Sequence, residues 1–188
     1  MNIVNVGYAS TNYYAIDIKI GKLLVDCGWP GTLPQFTRVL QRKNISLQEI
    51  KYLLVTHFHP DHAGLVQELK NQGVKFILPD CQVDFVGSFG EYFKAKSLPY
   101  VKINPHDNFN LKLQDSRSFL ASIGLRGEIL HTPGHSEDSV TLVLDEGYAF
   151  TGDLHPAFMG IEDPKTHASW DKLQQFKIKQ VFPGHGQS

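Results

Sequence analysis

The sequence predicts an α/β fold: a four-layer αββα sandwich in which two mixed β-sheets pack face to face and helices cover the outer faces. Three observations predict it. Short apolar runs of strand character recur along the chain, helical spacings fall between them, and the order of sheet followed by helix occurs twice. The 188 residues suit one domain spanning 1–188, since a domain takes roughly 100 to 200 residues.

Taken in order, Ile3 to Val6, Tyr13 to Ile18 and Lys22 to Val25 read as three strands, the last two joined at Gly21, making an antiparallel opening. From Pro30 to Lys43, Leu33, Phe36, Val39 and Leu40 stand at helical spacing after Gly31-Thr32, which predicts a helix laid on the sheet. Tyr52 to Val55 is a short apolar run that suits a buried strand. His62 to Asn71 reads as a helix closed by Gly73, followed by a strand at Lys75 to Leu78 and a helix between Cys81 and Lys96. The second half is richer in strands: Tyr100 to Ile103, Phe109 to Leu113, Glu128 to His131, Val140 to Leu144 and Tyr148 to Thr151. The last two form a hairpin about Asp145-Glu146-Gly147. A helix near His167 to Phe176 and a strand at Lys179 to Phe182 complete the pattern.

Composition narrows the partners. Lys and Arg (18) nearly balance Asp and Glu (19), and the basic residues are scattered. No field is provided for gripping a phosphate backbone, so a small-molecule substrate is expected and nucleic acid is not. Met1-Asn2-Ile3-Val4 runs directly into strand-like sequence, no apolar stretch approaches membrane-spanning length, and a cytoplasmic location without membrane contact is expected. Cys27 and Cys81 form no close-spaced pair and read as small buried or half-buried residues rather than ligands.

Four motifs carry the chemistry: Thr56-His57-Phe58-His59-Pro60-Asp61-His62, Thr132-Pro133-Gly134-His135-Ser136, Thr151-Gly152-Asp153 and Pro183-Gly184-His185-Gly186. Each sits where an apolar run gives out, so donors far apart in sequence can gather at one edge of the scaffold. His57 and His59 can aim at one ion. Asp61 and His62, after Pro60 turns the chain, can aim at a second, and imidazole and carboxylate are the donors that zinc prefers. The alternative is a set of surface or capping residues with Asp61 as the N-cap of the next helix; Asp61 can do both. Pro133-Gly134 is a turn that lets backbone pass close to an ion at His135, and Asp153 stands after Gly152 where a carboxylate can bridge two ions.

In these motifs the chain resembles the metallo-β-lactamase-fold hydrolase superfamily, over almost its whole length from Val25-Asp26-Cys27-Gly28 to Pro183-Gly184-His185-Gly186. The resemblance implies that His57, His59 and His135 hold a first metal, that Asp61, His62 and His185 hold a second, and that Asp153 bridges them. It also gives Asp26 the role of a buried acid that orients ligands, the alternative being an Asp that starts a turn before Gly28. The bridging aspartate resembles the branch of glyoxalase II, the lactonases and the phosphodiesterase-type nucleases. β-Lactamases of the best-known subclass resemble the pattern with a cysteine at position 153, and the flavo-di-iron reductases with a glutamate at position 59, so neither activity is expected. Glyoxalase II carries a C-terminal helical domain for glutathione, whereas this sequence runs to Ser188, and the quorum-signal lactonases place a tyrosine shortly after the aspartate, where Leu154-His155-Pro156-Ala157-Phe158 has none.

The expected function is therefore hydrolysis of an ester-like bond, a thioester or lactone, by a hydroxide shared between two divalent ions about 3.5 to 4 Å apart, with Asp61 as catalytic proton carrier. Zinc is the expected metal, with iron or manganese as alternatives. An oxidoreductase resembling the persulfide dioxygenases with a single iron, a phosphodiesterase, and a non-catalytic binding module are the competing readings. His155, on the loop after Asp153, reads as a solvent-facing histidine that can reach substrate, and His106, His131 and His167 as surface or packing residues. Four aromatics and two glycines between Asp84 and Phe93 read as core, with a pocket wall as the alternative; Phe158 and Met159 are further pocket-wall candidates.

Overall fold

Side-chain alternation along the strands sorts the apolar residues into three layers, which fixes the sandwich. The computed structural model describes residues 1–157 and 163–187. Among these, β1 (Ile3–Asn5), β2 (Tyr14–Ile18), β3 (Gly21–Val25), β4 (Ile50–Leu54), β5 (Lys75–Pro79) and β6 (Phe109–Leu111) form a six-stranded sheet in that order. β7 (Gly127–His131), β8 (Val140–Leu144), β9 (Tyr148–Gly152) and β10 (Gln180–Pro183) form a four-stranded sheet in the order β10-β9-β8-β7. Both are mixed: β1 to β3 run antiparallel and β3 to β6 parallel, while β7 to β9 run antiparallel and β10 parallel to β9.

Successive strand residues point to opposite faces, so neighbours in sequence enter different cores. Tyr13, Ala15, Leu24, Leu53 and Phe76 join one cluster with Phe36, Leu40, Leu69 and Phe93. These last four lie on or beside α1 (Leu33–Arg42), α3 (Val66–Asn71) and α4 (Gly90–Ala95). Tyr14, Ile16, Leu23, Leu54 and Ile77 face the other way and meet Ile129, Val140, Leu142, Phe150 and Phe182 between the sheets. Val143 and Ala149, on the far face of the second sheet, pack with Trp170 and Leu173 of α6 (Pro164–Gln174).

Strand polarity then positions the site. β3 and β4 are parallel, and β7, β9 and β10 share one direction because each of β7 and β9 is antiparallel to β8. The carboxyl ends that precede Asp26, His57, His135, Asp153 and His185 therefore open on common sheet edges, the usual place for a ligand in an α/β sheet. The Val140 amide donates to the Thr56 carbonyl at 2.8 Å and ties the two edges together.

The structure departs from the sequence reading in four stretches. The helix expected over His62 to Asn71 is two pieces, α2 (Pro60–Ala63) and α3, separated at Gly64-Leu65. A Cβ on Gly64 would lie 2.3 Å from the Pro60 carbonyl and 2.5 Å from that of Gly28, so glycine there lets two chain segments cross. The helix expected between Cys81 and Lys96 is a 3-10 turn at Asp80–Phe85 followed by α4, divided at Gly87 with its φ of 75°. Tyr100 to Ile103 is not a strand: the Asn104 amide is satisfied by the Gln67 side chain at 2.8 Å rather than by a ladder. β6 stops at Leu111, and α5 (Ser116–Ile123), absent from the sequence reading, follows with left-handed Gly124 closing it. α5 sends Leu120 and Ile123 into the inter-sheet cluster.

Phe150 stacks on Phe182 with ring centroids 4.7 Å apart and meets Tyr14 edge-on at 5.3 Å. Phe150→Ala is expected to cost about 3 to 5 kcal/mol of stability, read as a lowered urea midpoint; a loss below about 1 kcal/mol would contradict the inter-sheet core.

Candidate metal centre

The centre is assembled on the Asp26 carboxylate. Asp26 ends β3 in a left-handed conformation, φ 62°, and its amide donates to the Leu54 carbonyl at 2.9 Å. Its Oδ1 accepts the Thr56 amide at 2.6 Å, and its Oδ2 accepts the Thr56 hydroxyl at 2.9 Å and His62 Nδ1–H at 2.9 Å. With its proton given to Asp26, the Thr56 hydroxyl accepts from His57 Nδ1, 3.1 Å away. His185 Nδ1–H donates to the Ser10 carbonyl at 2.8 Å. Three imidazoles thus engage Nδ1 with an oxygen and turn Nε2 to the centre, the atom a metal would take.

The donors fall in two groups: His57, His59, His135 and Asp153 in one, Asp61, His62 and His185 in the other, with the ligand atoms of each group within 4.8 Å of one another. His59 turns Nδ1 inward, 3.0 Å from His135 Nε2. Asp153 reaches both groups. Its Oδ2 lies 3.5 Å from His135 Nε2, 4.0 Å from His57 Nε2 and 3.4 Å from His185 Nε2, and its Oδ1 lies 3.4 Å from His62 Nε2. Asp61 Oδ2 is 3.2 Å from His185 Nε2 and 3.5 Å from His62 Nε2.

The donors fit divalent cations on two counts. Among the described residues His57 Nε2 is buried without a hydrogen-bond partner, which would be costly if nothing else engaged it. Borderline nitrogen and hard oxygen donors at this spacing are also the set that zinc and its neighbours take. The charge balance agrees. Burial, reinforced by His62, His59, His135 and His185, holds His57 well below the ordinary histidine range. Burial would lower His62 too, but the Asp26 and Asp153 carboxylates outweigh it and push it up to about 10. Burial would raise Asp153, yet the hydrogen bond and charge of His62, with His185 and His135, hold it below the usual carboxylate value. The acids create demand for positive charge at this point.

Backbone shape admits the cluster at two glycines. A Cβ on Gly184 would lie 2.4 Å from Asp153 Oδ1 and 2.6 Å from His62 Cε1, so the chain passes against the donors there. At Gly134 a Cβ would strike Thr166 Oγ1 at 2.4 Å, so the chain passes against α6 there. Asp61 is not the N-cap of α2. His59 occupies that position with Pro60 next, and Asp61 lies in the first turn.

Several supporting residues carried no sequence signal. Thr11 Oγ1 donates to Asp61 Oδ2 at 3.1 Å, and Asn12 Nδ2 donates to the carbonyls of Pro183 (3.0 Å) and Gly186 (3.1 Å), bracketing the His185 loop. Asp138 Oδ2 accepts the Phe58 amide at 2.6 Å, and buried Gln82 donates to the carbonyls of Val55, Thr56 and Asp138. All are single polar residues in loops or, for Gln82, in the 3-10 turn, indistinguishable by spacing from solvent-facing ones.

Beside the donors lies a cavity of about 640 Å³, lined by His135, Asp153, His185, Leu154, His155, Pro156, Ala157, Trp170 and Val181 among others. His155 is exposed yet lines it, its ring 5.9 Å from that of His135. Phe89 and Phe93 are core, packed with Tyr100 behind the first sheet, and not a cavity wall. Phe158 and Met159 fall outside the described residues. Burial pushes Cys27 far up and Cys81 up to about 12, so neither is a thiolate; both are unpaired. His106 and His167 are exposed, and His131 Nε2 lies 2.7 Å from the Glu137 carbonyl, away from the donors.

The sequence matches the model of the metallo-beta-lactamase superfamily over residues 6–185. The chain belongs to this superfamily. It is similar to the beta-lactamase-like protein 2 homolog of Drosophila melanogaster, 31% identical over 94% of this chain and 58% of that protein. It is also similar to a probable metallo-hydrolase of Methanocaldococcus jannaschii, 30% identical over 96% of this chain and 89% of that one. An atrochrysone carboxyl ACP thioesterase of Aspergillus chevalieri is 28% identical over 94% of this chain, which spans 51% of it. A metallo-beta-lactamase from Elizabethkingia meningoseptica shares the fold, with a TM-score of 0.74 at 20% identity over 98% of this chain and 74% of that one. The chain is thus a superfamily member carrying a His/Asp cluster suited to divalent metal, and among the described residues no helix is long and apolar enough to cross a membrane.

Two substitutions test the support of the donors. Asp26→Asn tolerates the left-handed backbone but removes the charge that orients His62 and Thr56. Zinc affinity, titrated against a chromophoric chelator, is expected to fall about 10- to 100-fold, and an unchanged affinity would contradict the role. Gly184→Ala drives a methyl into Asp153 and His62; zinc affinity is expected to drop at least tenfold while far-ultraviolet circular dichroism is retained. Equal affinity would show that the loop has room.

Proposed function

We propose that this chain is a dinuclear-metal hydrolase that cleaves an ester-like bond, a thioester or lactone, of a small molecule, with residues 1–188 acting as one catalytic domain. The observation that carries the reading is the placement of Asp153 between two donor groups, its carboxylate oxygens 3.4 to 4.0 Å from imidazoles of both. His57, His59 and His135 would hold one cation, Asp61, His62 and His185 the other, and Asp153 both. Zinc suits the donors best. Such cations supply Lewis acidity, bringing the pKa of water from near 16 towards neutrality and polarising a carbonyl.

The chain's own groups complete the chemistry. Asp61 Oδ2 accepts from Thr11 and faces Nε2 of His62 and His185, which leaves its other oxygen to accept the proton of the attacking water. Water oxygen adds to the carbonyl carbon, the carbon–sulfur or carbon–oxygen bond breaks, and Asp61 returns the proton to the leaving thiolate or alkoxide. No serine or cysteine nucleophile is required. Ser10 and Asn12 hold the His185 loop in place.

The choice of thioester over other esters rests on the fungal relative named as a thioesterase and on the cavity, which has no lysine or arginine among its described lining residues to grip a phosphodiester. Two unpaired cysteines support a reducing, cytoplasmic location. Thioesters, lactones, phosphodiesters and a cephalosporin, each offered with zinc, manganese or iron, are the direct test. Thioester or lactone turnover abolished by a chelator is expected; turnover of the phosphodiester alone, or oxygen consumption with a single iron, would overturn the reading. Asp61→Asn in zinc-replete protein is expected to lower kcat by at least about 10²-fold, and near-normal turnover would remove Asp61 from the proton path.

A further inference from the structure

We propose that the cavity beside the donors is an acyl-binding site for an unbranched apolar acyl group, and that Trp170 is the wall that sets its specificity. This rests on the hydrolase reading above and names its substrate class.

The cavity joins the donors to apolar surface. Asp153, His135 and His185 line it together with Leu154, Ala157, Trp170 and Val181, and His155 and Gln187 add polar groups to its described lining. A substrate that places its carbonyl at the donors therefore extends the rest of its acyl group along apolar surface. About 640 Å³ is within the range that holds a ligand of drug-like size, on the order of 300 to 1,000 Å³, and far exceeds what an acetyl group needs.

Trp170 is suited to be a wall. Its indole Nε1–H donates to the His155 carbonyl at 2.7 Å, so the polar atom of the ring is already satisfied and the remaining surface is apolar. The helix behind it is fixed: Ser169 Oγ donates to the Pro133 carbonyl at 2.6 Å, and Leu173 is buried in the cluster against the second sheet. Because the Pro133 carbonyl belongs to the segment that carries His135, the wall and the donor keep a set distance from each other. Among the described lining residues there is no lysine or arginine, so an anionic chain end gains nothing here while each methylene placed in the cavity leaves water.

The test uses two arms with zinc-loaded protein. In the first, N-acetylcysteamine thioesters of acetyl, butanoyl, hexanoyl and octanoyl groups are compared. kcat/KM is expected to climb by up to about fourfold per methylene. Filling the cavity with Ala157→Trp, at an exposed position, is expected to cut the octanoyl-to-acetyl ratio at least tenfold. Trp170→Phe, which keeps an aromatic against Leu173, is expected to cut it by a smaller factor. In the second arm, Trp29→Phe leaves Trp170 as the sole tryptophan of the two in the chain, and 1-octanol is titrated while its fluorescence is followed. A saturable shift, lost when Ala157→Phe is added to fill the cavity without a new tryptophan, supports the site. A ratio within about twofold across the series, or no shift with 1-octanol, overturns it. If no thioester is turned over at all, the thioester part of the hydrolase reading fails separately, and the 1-octanol titration still decides the cavity.

Discussion

The organisation of this molecule turns on one buried carboxylate. Asp26 is 2% exposed and sits in a backbone conformation that a non-glycine residue adopts at a cost. It is held there because three donors from two other segments converge on it, the Thr56 amide, the Thr56 hydroxyl and His62 Nδ1–H. A carboxylate removed from water is expensive unless it is fully hydrogen-bonded and electrostatically matched. Here the match comes from His62 and, through it, from the cations that the cluster is shaped to hold. Strain, burial and ligand orientation are therefore three aspects of one arrangement.

The scaffold makes that arrangement affordable by topology. Alternate strand residues commit to different cores, so the sheets are held on both faces before any donor is placed. The donors then hang from strand ends that share a direction, and short polar links such as Val140 to Thr56 and Gly184 to Gly152 fix one edge against another. Asp153 sits where these edges meet. Its two oxygens face imidazoles from three different segments, so a shift of either sheet alone would separate the two donor groups. Removing one of several interlinked buried polar groups would disturb the rest more than a pairwise count suggests.

Much of this was legible in the sequence for a physical reason. Ligands must be specific residue types at strand ends, so the seven donors and their order stood out as motifs, and strands such as Val140–Leu144 announced themselves by being almost wholly apolar and bounded by turns. What was not legible depends on contacts between distant segments. The Thr11 hydrogen bond reaches Asp61, 50 positions on, and those of Asn12 reach Pro183 and Gly186, 171 and 174 positions on, and no local pattern encodes them. The break at Gly64 follows from a crossing with Gly28, and the role of Gly134 from its contact with α6. α5 is a different case: Phe119, Leu120 and Ile123 are at helical spacing before Gly124, a signal hidden because the preceding apolar residues were read as one longer strand.

The proposed chemistry depends on these side chains converging on cations. The most direct measurement is zinc titration of metal-free protein by calorimetry, paired with zinc-edge X-ray absorption of the loaded form. Two equivalents per chain, nitrogen and oxygen neighbours only, and a zinc–zinc separation of about 3.5 to 4 Å are the predicted result. A single equivalent, sulfur in the coordination shell, or two ions too far apart to share Asp153 would contradict it.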